Sequence, residues 1–325
     1  VLGRVFNLIS YIIVTYFAIK QIPVGKNLIC AVALLPSNIF LAANYSYDPW
    51  LTSWIMLAVA LTVREMTDAR ALSLSRWLQI LLTYFIALGP KAVYFPLIAL
   101  MMLIPSSKFE SRRQKGAFYS IAIICALLIV GTFALELLLT GGGSGDVRGG
   151  EGVNSALQVA SVQENPVAFA QTILSFVFGT YVSPSNISSA FSSLGYAGNP
   201  VERYPLLAIV PLAYLVLVSL LDGPRRPGKN MGIYSTVWSL FLCFATIFLA
   251  TTALYFSYTP VGSTSVAGMQ PRYLLPLVFP FCFFVIRVPL RKGISDRLLS
   301  LSTVALSGLY LLWDFWQTFS LSLLT

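Results

Sequence analysis

Long apolar runs separated by short basic loops are the feature that most constrains this chain. The longer runs have roughly 17 to 25 residues, which is the helix length that crosses about 30 Å of hydrocarbon. Hydrophobic residues make up 57% and charged residues 10% of the 325 residues, and the mean hydropathy is +0.79. That leaves too little polar sequence to cover a water-soluble globule of this size. The alternating pattern of outer-membrane barrels is absent. The sequence therefore predicts an all-α, polytopic transmembrane protein.

We predict about ten crossings in one transmembrane domain over residues 1–325. The predicted spans are 5–19, 28–43, 51–63, 77–88, 92–104, 117–139, 205–221, 233–258, 273–286 and 298–321. The runs 77–88 and 92–104 are shorter than a full span, so they form either a pair of short crossings, which we favour, or one hairpin that dips part-way into the membrane. Because the chain opens at Val1 just before the first run, we expect a fragment that lacks N-terminal residues.

The basic residues indicate topology rather than nucleic-acid binding, because the net charge of +9 is spread over short clusters between the runs. If Lys20 and Lys26 face the cytoplasm, so do 16 of the 21 Lys and Arg residues. The outer side keeps Arg4, Lys91, Arg148, Arg203 and Arg272. This split requires that the apolar run 167–181 does not cross fully. We therefore predict an extracytoplasmic region at 140–204 with a re-entrant or interfacial helix, whose glycine-rich start at 141–145 forms part of a lid.

Composition also limits the chemistry that the chain can perform. It has no histidine, which excludes Ser-His and Cys-His nucleophilic mechanisms and His-ligated zinc within this chain. The four cysteines lie in apolar runs without the close spacing of a metal site, and we interpret them as small buried hydrophobes. Acid, base or metal chemistry would therefore depend on carboxylates.

On this topology the segment 268–272 emerges on the same outer face as Asp48, Lys91 and the region 140–204, and this convergence is the main functional indication. Arg272 stands at the start of an apolar run, where it either snorkels to lipid headgroups or binds a phosphate. Asp48 either begins a turn or helix or is a functional carboxylate. Lys91 is either a solvated loop lysine or a second cation of the same site.

Four further charged residues also have two interpretations each. Glu202 and Arg203 are either a surface charge pair or the acceptor side of the site. Glu136 and Asp314 lie inside apolar runs, where a carboxylate indicates function by default. Both are also near the outer ends of those runs, so an interfacial position is equally open.

Several short segments carry a family resemblance. They are 4–8, 18–20, 34–36, 46–48, 91–97, 194–196 and 268–276. Over about residues 1–280 the chain resembles a bacterial family of predicted polytopic membrane proteins, a domain of unknown function. The most specific part is Gln-x-Arg-Tyr-Leu-Leu-Pro at 270–276. The family more usually has Gly in place of Pro271, and its Gly-Trp-Leu-Asp stands here as Gly195-Tyr196-Ala197-Gly198.

That family is distantly similar to the GT-C glycosyltransferases, which take sugars from polyprenyl-phosphate carriers on the outer face of the membrane. The resemblance implies a GT-C-like fold in the bacterial cytoplasmic membrane and a role in cell-envelope glycan assembly. GT-C enzymes also place an acidic residue in the first outer loop, which would lie upstream of Val1.

The resemblance also implies roles for individual residues. Asp48 would be the catalytic base or a ligand of a divalent cation. The groups that hold the phosphate of the lipid donor would be Arg272, Lys91, Gln270 and Tyr273. Two other functions stay open: a transporter or flippase for a lipid-linked glycan, and a non-catalytic membrane subunit. Inverted repeats would favour transport, and we find no convincing repeat. The expected partners are membrane lipid and the sugar donor rather than nucleic acid; the oligomeric state and the sugar stay open.

Overall fold

The computed structural model describes residues 1–139, 149–150, 152–195, 209–222, 232–286 and 295–320, with the backbone alone at 133–139. Every regular element in these ranges is a helix, which confirms the all-α class. The α-helices are α1 (Leu2–Gln21), α2 (Lys26–Ala33), α3 (Pro36–Ala42), α4 (Asp48–Thr67), α5 (Leu74–Leu88), α6 (Arg112–Leu139), α7 (Ser155–Glu164), α8 (Pro166–Phe176), α9 (Pro184–Ser192), α10 (Ile209–Leu221), α11 (Ile233–Ser257), α12 (Leu275–Val285) and α13 (Asp296–Phe319). The 3-10 helix Ala92–Leu103 and the π-helical turn Val177–Tyr181 are also present.

Four helices in the described ranges are long and apolar enough to cross a membrane: α1, α6 over Arg112–Thr132, α11 and α13. The pair Pro166–Tyr181 and α9 would be a fifth if it formed one broken span, but its 63° bend also fits a re-entrant loop. The shorter apolar helices are α5, Ala92–Leu103, α10 and Pro271–Val285. A membrane protein is thus supported, whereas the predicted count of about ten crossings is not confirmed. The glycine-rich start at 141–145 lies outside the described residues.

Helix α4 is the centre of the molecule. It packs against α1, α5 and α12, and nearly all of its side chains are buried. By contrast, α1, α6 and α13 expose apolar side chains, for example Phe6, Leu127 and Leu309. A helix that is apolar all round belongs in the interior, and a contiguous exposed apolar surface belongs against lipid.

A charged group marks each end of α4. Asp48 is in its first turn and Glu65 near its last, about 26 Å apart at 1.5 Å per residue. The buried Glu65 carboxylate lies 2.8 Å from Arg76, 3.1 Å from Arg64 and 3.2 Å from Lys108. This buried ion cluster ties the C-terminal end of α4 to the first turn of α5, through Arg76, and to the segment after Ala92–Leu103, through Lys108.

The 3-10 helix Ala92–Leu103 runs along α4. Lys91, just before it, lies at the Asp48 end, and Lys108, just after it, lies at the Glu65 end. A 3-10 helix rises about 2.0 Å per residue, so these residues cover about 24 Å, whereas an α-helix of equal length covers about 18 Å. Residues 77–104 thus form two helical runs of opposite direction beside α4, and the pair of crossings stays a prediction.

The predicted span 28–43 is two short helices, α2 and α3, and not one. Pro36 has no backbone N–H and disfavours an α conformation in the residue before it, so α2 ends and α3 starts anew. The break frees two carbonyl oxygens. The Val32 carbonyl accepts a hydrogen bond from Asn38, and the Ala33 carbonyl accepts one from Tyr11 of α1.

Candidate functional site

Asp48 and Arg272 meet at the N-terminal end of α4. The Nε atom of Arg272 lies 3.4 Å from Oδ2 of Asp48. Asp48 is 4% exposed, and the hydroxyl of Ser46 donates a 2.9 Å hydrogen bond to the same carboxylate oxygen. The positive end of the α4 dipole also favours a carboxylate in this turn. The carboxylate is therefore fixed on several sides, whereas the Arg272 side chain is 41% exposed.

Lys91 is the second cation of this cluster. Its Nζ atom lies 3.0 Å from the centroid of the Tyr273 ring and 5.7 Å from that of Tyr94. The nitrogen is buried and has no hydrogen-bond partner among the described residues. Burial lowers the pKa of Lys91 to about 8; the charge of Asp48 opposes this shift and that of Arg272 adds to it. The amine therefore titrates within the physiological range.

Two buried tyrosines hold the backbone that carries Arg272. The hydroxyl of Tyr94 donates to the Tyr273 carbonyl at 2.7 Å, and that of Tyr181 donates to the Gln270 carbonyl at 3.1 Å. Sequence reasoning assigned neither tyrosine to the site. The available signal was weak: Tyr94 lies in the segment 91–97, Tyr181 ends the run 167–181, and buried tyrosine hydroxyls usually find a partner.

Steric constraints explain why the 268–276 motif begins with a glycine. Gly268 has φ +79, in the left-handed region, and a Cβ there would lie 2.5 Å from the ring of Tyr258. Nearby, the backbone N–H of Ala267 donates to Thr259. The loop that leads from α11 to Arg272 thus depends on a residue without a side chain.

A cavity of about 270 Å³ opens beside Lys91. Its walls come from the turn before Ala92–Leu103, from α6, from the C-terminal part of α11 and from Tyr273. The lining residues are Gly89, Pro90, Lys91, Ala92, Val93, Thr132, Ala250, Ala253, Leu254, Ser257 and Tyr273. Since one water occupies about 30 Å³ in the liquid, the cavity has room for a phosphate-sized group and its hydration.

A second cavity, of about 150 Å³, is lined by apolar side chains of α9, α10, α11 and α12. Leu274, two residues after Arg272, is among them. A cavity that contains the Lys91 side chain and a fully apolar cavity therefore flank the same short segment.

The structure brings together Asp48, Lys91, Arg272 and Tyr273. Gln270 precedes Arg272 by two residues; its backbone carbonyl accepts a hydrogen bond from Tyr181, and its side chain is exposed. Other predicted residues are not placed in this cluster: Glu202, Arg203 and the side chain of Glu136 lie outside what the structure describes, and Asp314 belongs to α13.

Asp314 is fully buried within the protein. Neither of its carboxylate oxygens has a hydrogen-bond partner among the described residues. Its helix, α13, packs against α2 and α3.

The cluster does not resemble a protein-held metal site. Within the described ranges, no three His, Cys, Asp or Glu side chains converge. Divalent cations such as Mg²⁺ and Ca²⁺ need several oxygen ligands, and here the Asp48 carboxylate is flanked by Arg272 and Lys91. These residues alone do not fit a divalent cation.

The fold and the cluster together define a helical membrane protein with a carboxylate and two cations at one end of its central helix. Residues 1–280 match the family described as Predicted membrane protein (DUF2142), and the chain belongs to that family. No curated protein and no solved structure matches the chain. The membrane assignment and the family resemblance over 1–280 are thereby confirmed, while the similarity to GT-C enzymes stays a prediction.

Proposed function

We propose that this protein is a GT-C-like membrane glycosyltransferase that takes a sugar from a polyprenyl-phosphate-linked donor. It acts on the extracytoplasmic face of the bacterial cytoplasmic membrane, in cell-envelope glycan assembly. The observation that carries the proposal is the cluster of Asp48, Lys91 and Arg272 at the end of an apolar helical bundle. Sugar transfer from a lipid phosphate needs both kinds of group: cations for the phosphate and a carboxylate for the acceptor.

Arg272 is the phosphate-binding residue. Its Nε atom faces Asp48, and its terminal amino groups are not hydrogen-bonded to any described residue. The partly exposed guanidinium can therefore offer two parallel N–H donors to phosphate oxygens. A charge-assisted contact of this kind contributes about 1.5 to 3 kcal/mol.

Asp48 is the base. When a phosphate enters, it competes with Asp48 for the guanidinium, which loosens the ion pair and frees the carboxylate. Asp48 then accepts the proton of the acceptor hydroxyl while the acceptor oxygen bonds to the anomeric carbon. The bond between that carbon and the phosphate oxygen breaks, and the polyprenyl phosphate leaves with the electron pair, stabilised by Arg272 and Lys91.

Reconstituted protein tests this proposal. Purified full-length chain in liposomes is supplied with polyprenyl-phosphate donors that carry radiolabelled hexoses or pentoses, and release of the sugar to an acceptor or to water is measured. We expect release by the wild type and a loss of about a hundredfold or more in Asp48→Asn, within the range of general-base contributions. Donor that binds and crosses the bilayer uncleaved, at equal rates in both proteins, would contradict catalysis and support a transporter.

A further inference from the structure

We propose that phosphate binding at this site is coupled to proton uptake by Lys91, whose amine is partly neutral in the ligand-free protein and becomes an ammonium when the phosphate arrives. This inference rests on the proposed function, because it takes the phosphate group of the lipid donor as the ligand. It adds the identity of the residue that exchanges the proton and a pH dependence of binding.

The first support is the surroundings of the amine. An ammonium carries three N–H donors, yet Nζ of Lys91 is buried without a hydrogen-bond acceptor among the described residues. A buried charge without such partners is unfavourable, and a ring face offsets only part of that cost. The ring of Tyr273, 3.0 Å away at its centroid, is therefore better suited to a partly neutral amine than to a permanent ammonium.

The second support is the charge balance of the cluster. The groups that face Lys91 are Asp48 and Tyr47 from the start of α4, Tyr94 from Ala92–Leu103, and Arg272 and Tyr273 from the turn before α12. Asp48 is already paired with Arg272. A proton on Lys91 thus adds a positive charge that Asp48 offsets only in part and that Arg272 opposes, which is consistent with the pKa of about 8.

A bound phosphate reverses this balance. It brings acceptor oxygens and negative charge next to the amine, and the cavity of about 270 Å³ beside Lys91 gives it room. Starting from a pKa of about 8, roughly half a proton is taken up per phosphate bound at pH 8. By the same linkage, affinity falls as pH rises, by roughly thirtyfold between pH 7 and pH 9.5.

The test is calorimetric titration of the full chain in nanodiscs with farnesyl phosphate at pH 8, in HEPES and in Tris, whose ionisation enthalpies differ. The second ionisation of a phosphate monoester lies near pH 6, so the ligand itself is dianionic there. We expect a buffer-dependent heat that corresponds to uptake of about half a proton, and the thirtyfold decline in affinity over the pH range.

Lys91→Arg is the decisive variant, because a guanidinium stays protonated throughout this range. It should bind farnesyl phosphate without proton uptake and with a flat pH profile. Lys91→Met removes both the charge and the titrating group. It should therefore bind farnesyl phosphate more weakly than the wild type and without proton uptake.

Buffer-independent heat for the wild type, uptake in Lys91→Arg equal to that of the wild type, or no binding of farnesyl phosphate would each overturn the inference. Proton-linked binding without any sugar transfer would overturn the proposed function and leave this inference standing.

Discussion

Arg272 Nε lies 3.4 Å from Oδ2 of Asp48, so the first turn of α4 is joined directly to the turn that precedes α12. The residue expected to bind phosphate and the residue expected to accept a proton therefore form one electrostatic unit. A substitution at either residue changes the charge that the other experiences.

The first prediction follows from this pairing. Asp48→Asn keeps the shape of the side chain and removes its charge, so Arg272 loses its anionic partner and becomes more available to a phosphate. Farnesyl phosphate should bind as tightly as in the wild type or more tightly, while sugar release falls about a hundredfold. Binding and turnover are measured on the same reconstituted preparation. A parallel loss of both would show that Asp48 positions the site rather than acting in the reaction.

The second prediction compares two buried lysines. Lys91 has no hydrogen-bond partner among the described residues, whereas Lys108 pairs with Glu65 and donates to the carbonyls of Asp68 and Arg70. Lys91→Met should stabilise the protein by about 1 to 3 kcal/mol, because it removes an unsatisfied buried group. Lys108→Met should destabilise it by about 1 to 3 kcal/mol, because it leaves two buried carbonyls without their donor and removes one of the three cations paired with Glu65.

Thermal unfolding in detergent measures both changes. Since the two substitutions are chemically identical, general effects of added methionine cancel in the comparison. Shifts of the melting temperature in the same direction would contradict the assigned environments.

The third prediction tests the role of Tyr94 in positioning Arg272. Tyr94→Phe removes the hydrogen bond to the Tyr273 carbonyl and should cost about 1 kcal/mol of stability together with a measurable loss of farnesyl phosphate affinity. The matched control is Tyr84→Phe. Tyr84 is also fully buried, and its hydroxyl contacts Thr62 at 3.1 Å within the bundle. Equal losses of affinity in the two variants would mean that Tyr94 acts through stability alone.

The membrane class could be predicted from the sequence because it depends on composition and run length, which need no tertiary information. The division of the run 28–43 into α2 and α3 was harder to foresee. A proline inside an apolar run is tolerated when neighbouring side chains satisfy the freed carbonyls. Whether Asn38 and Tyr11 do so is decided by packing between helices.

The meeting of Asp48, Lys91 and Arg272 could be predicted at the level of a common face, because the alternation of basic loops assigns each loop to one side. The contacts that hold these residues in place could not be predicted from the sequence. The Tyr94 and Tyr181 hydroxyls bond to backbone carbonyls, which every residue has, so no side-chain pattern in the sequence marks the partner. The burial of Glu65 is hidden in the sequence for a similar reason: Arg64 and Arg76 belong to the basic loops that indicate topology, and both are also its ion-pair partners.

The fourth prediction concerns topology. In a cysteine-free background, Tyr45→Cys and Gln163→Cys should react with a membrane-impermeant maleimide in intact cells, because both positions are exposed and assigned outside. Ser75→Cys and Ser111→Cys, exposed at the Glu65 end of the molecule, should react only after permeabilisation. If Gln163→Cys reacted only after permeabilisation, as Ser75→Cys and Ser111→Cys should, an extracytoplasmic region at 140–204 would be contradicted.

Arg272 is proposed to bind the phosphate of a lipid substrate rather than to snorkel to headgroups, and the most direct test is the farnesyl phosphate affinity of Arg272→Lys. Lysine keeps the charge and loses the two parallel donors. Arg70→Lys is the matched control, because Arg70 also pairs with an aspartate, Asp68 at 3.1 Å, and its side chain is 83% exposed. We expect a loss of about tenfold to a hundredfold in Arg272→Lys, at about 1.4 kcal/mol per decade, and unchanged affinity in Arg70→Lys. Wild-type affinity in Arg272→Lys would contradict the account.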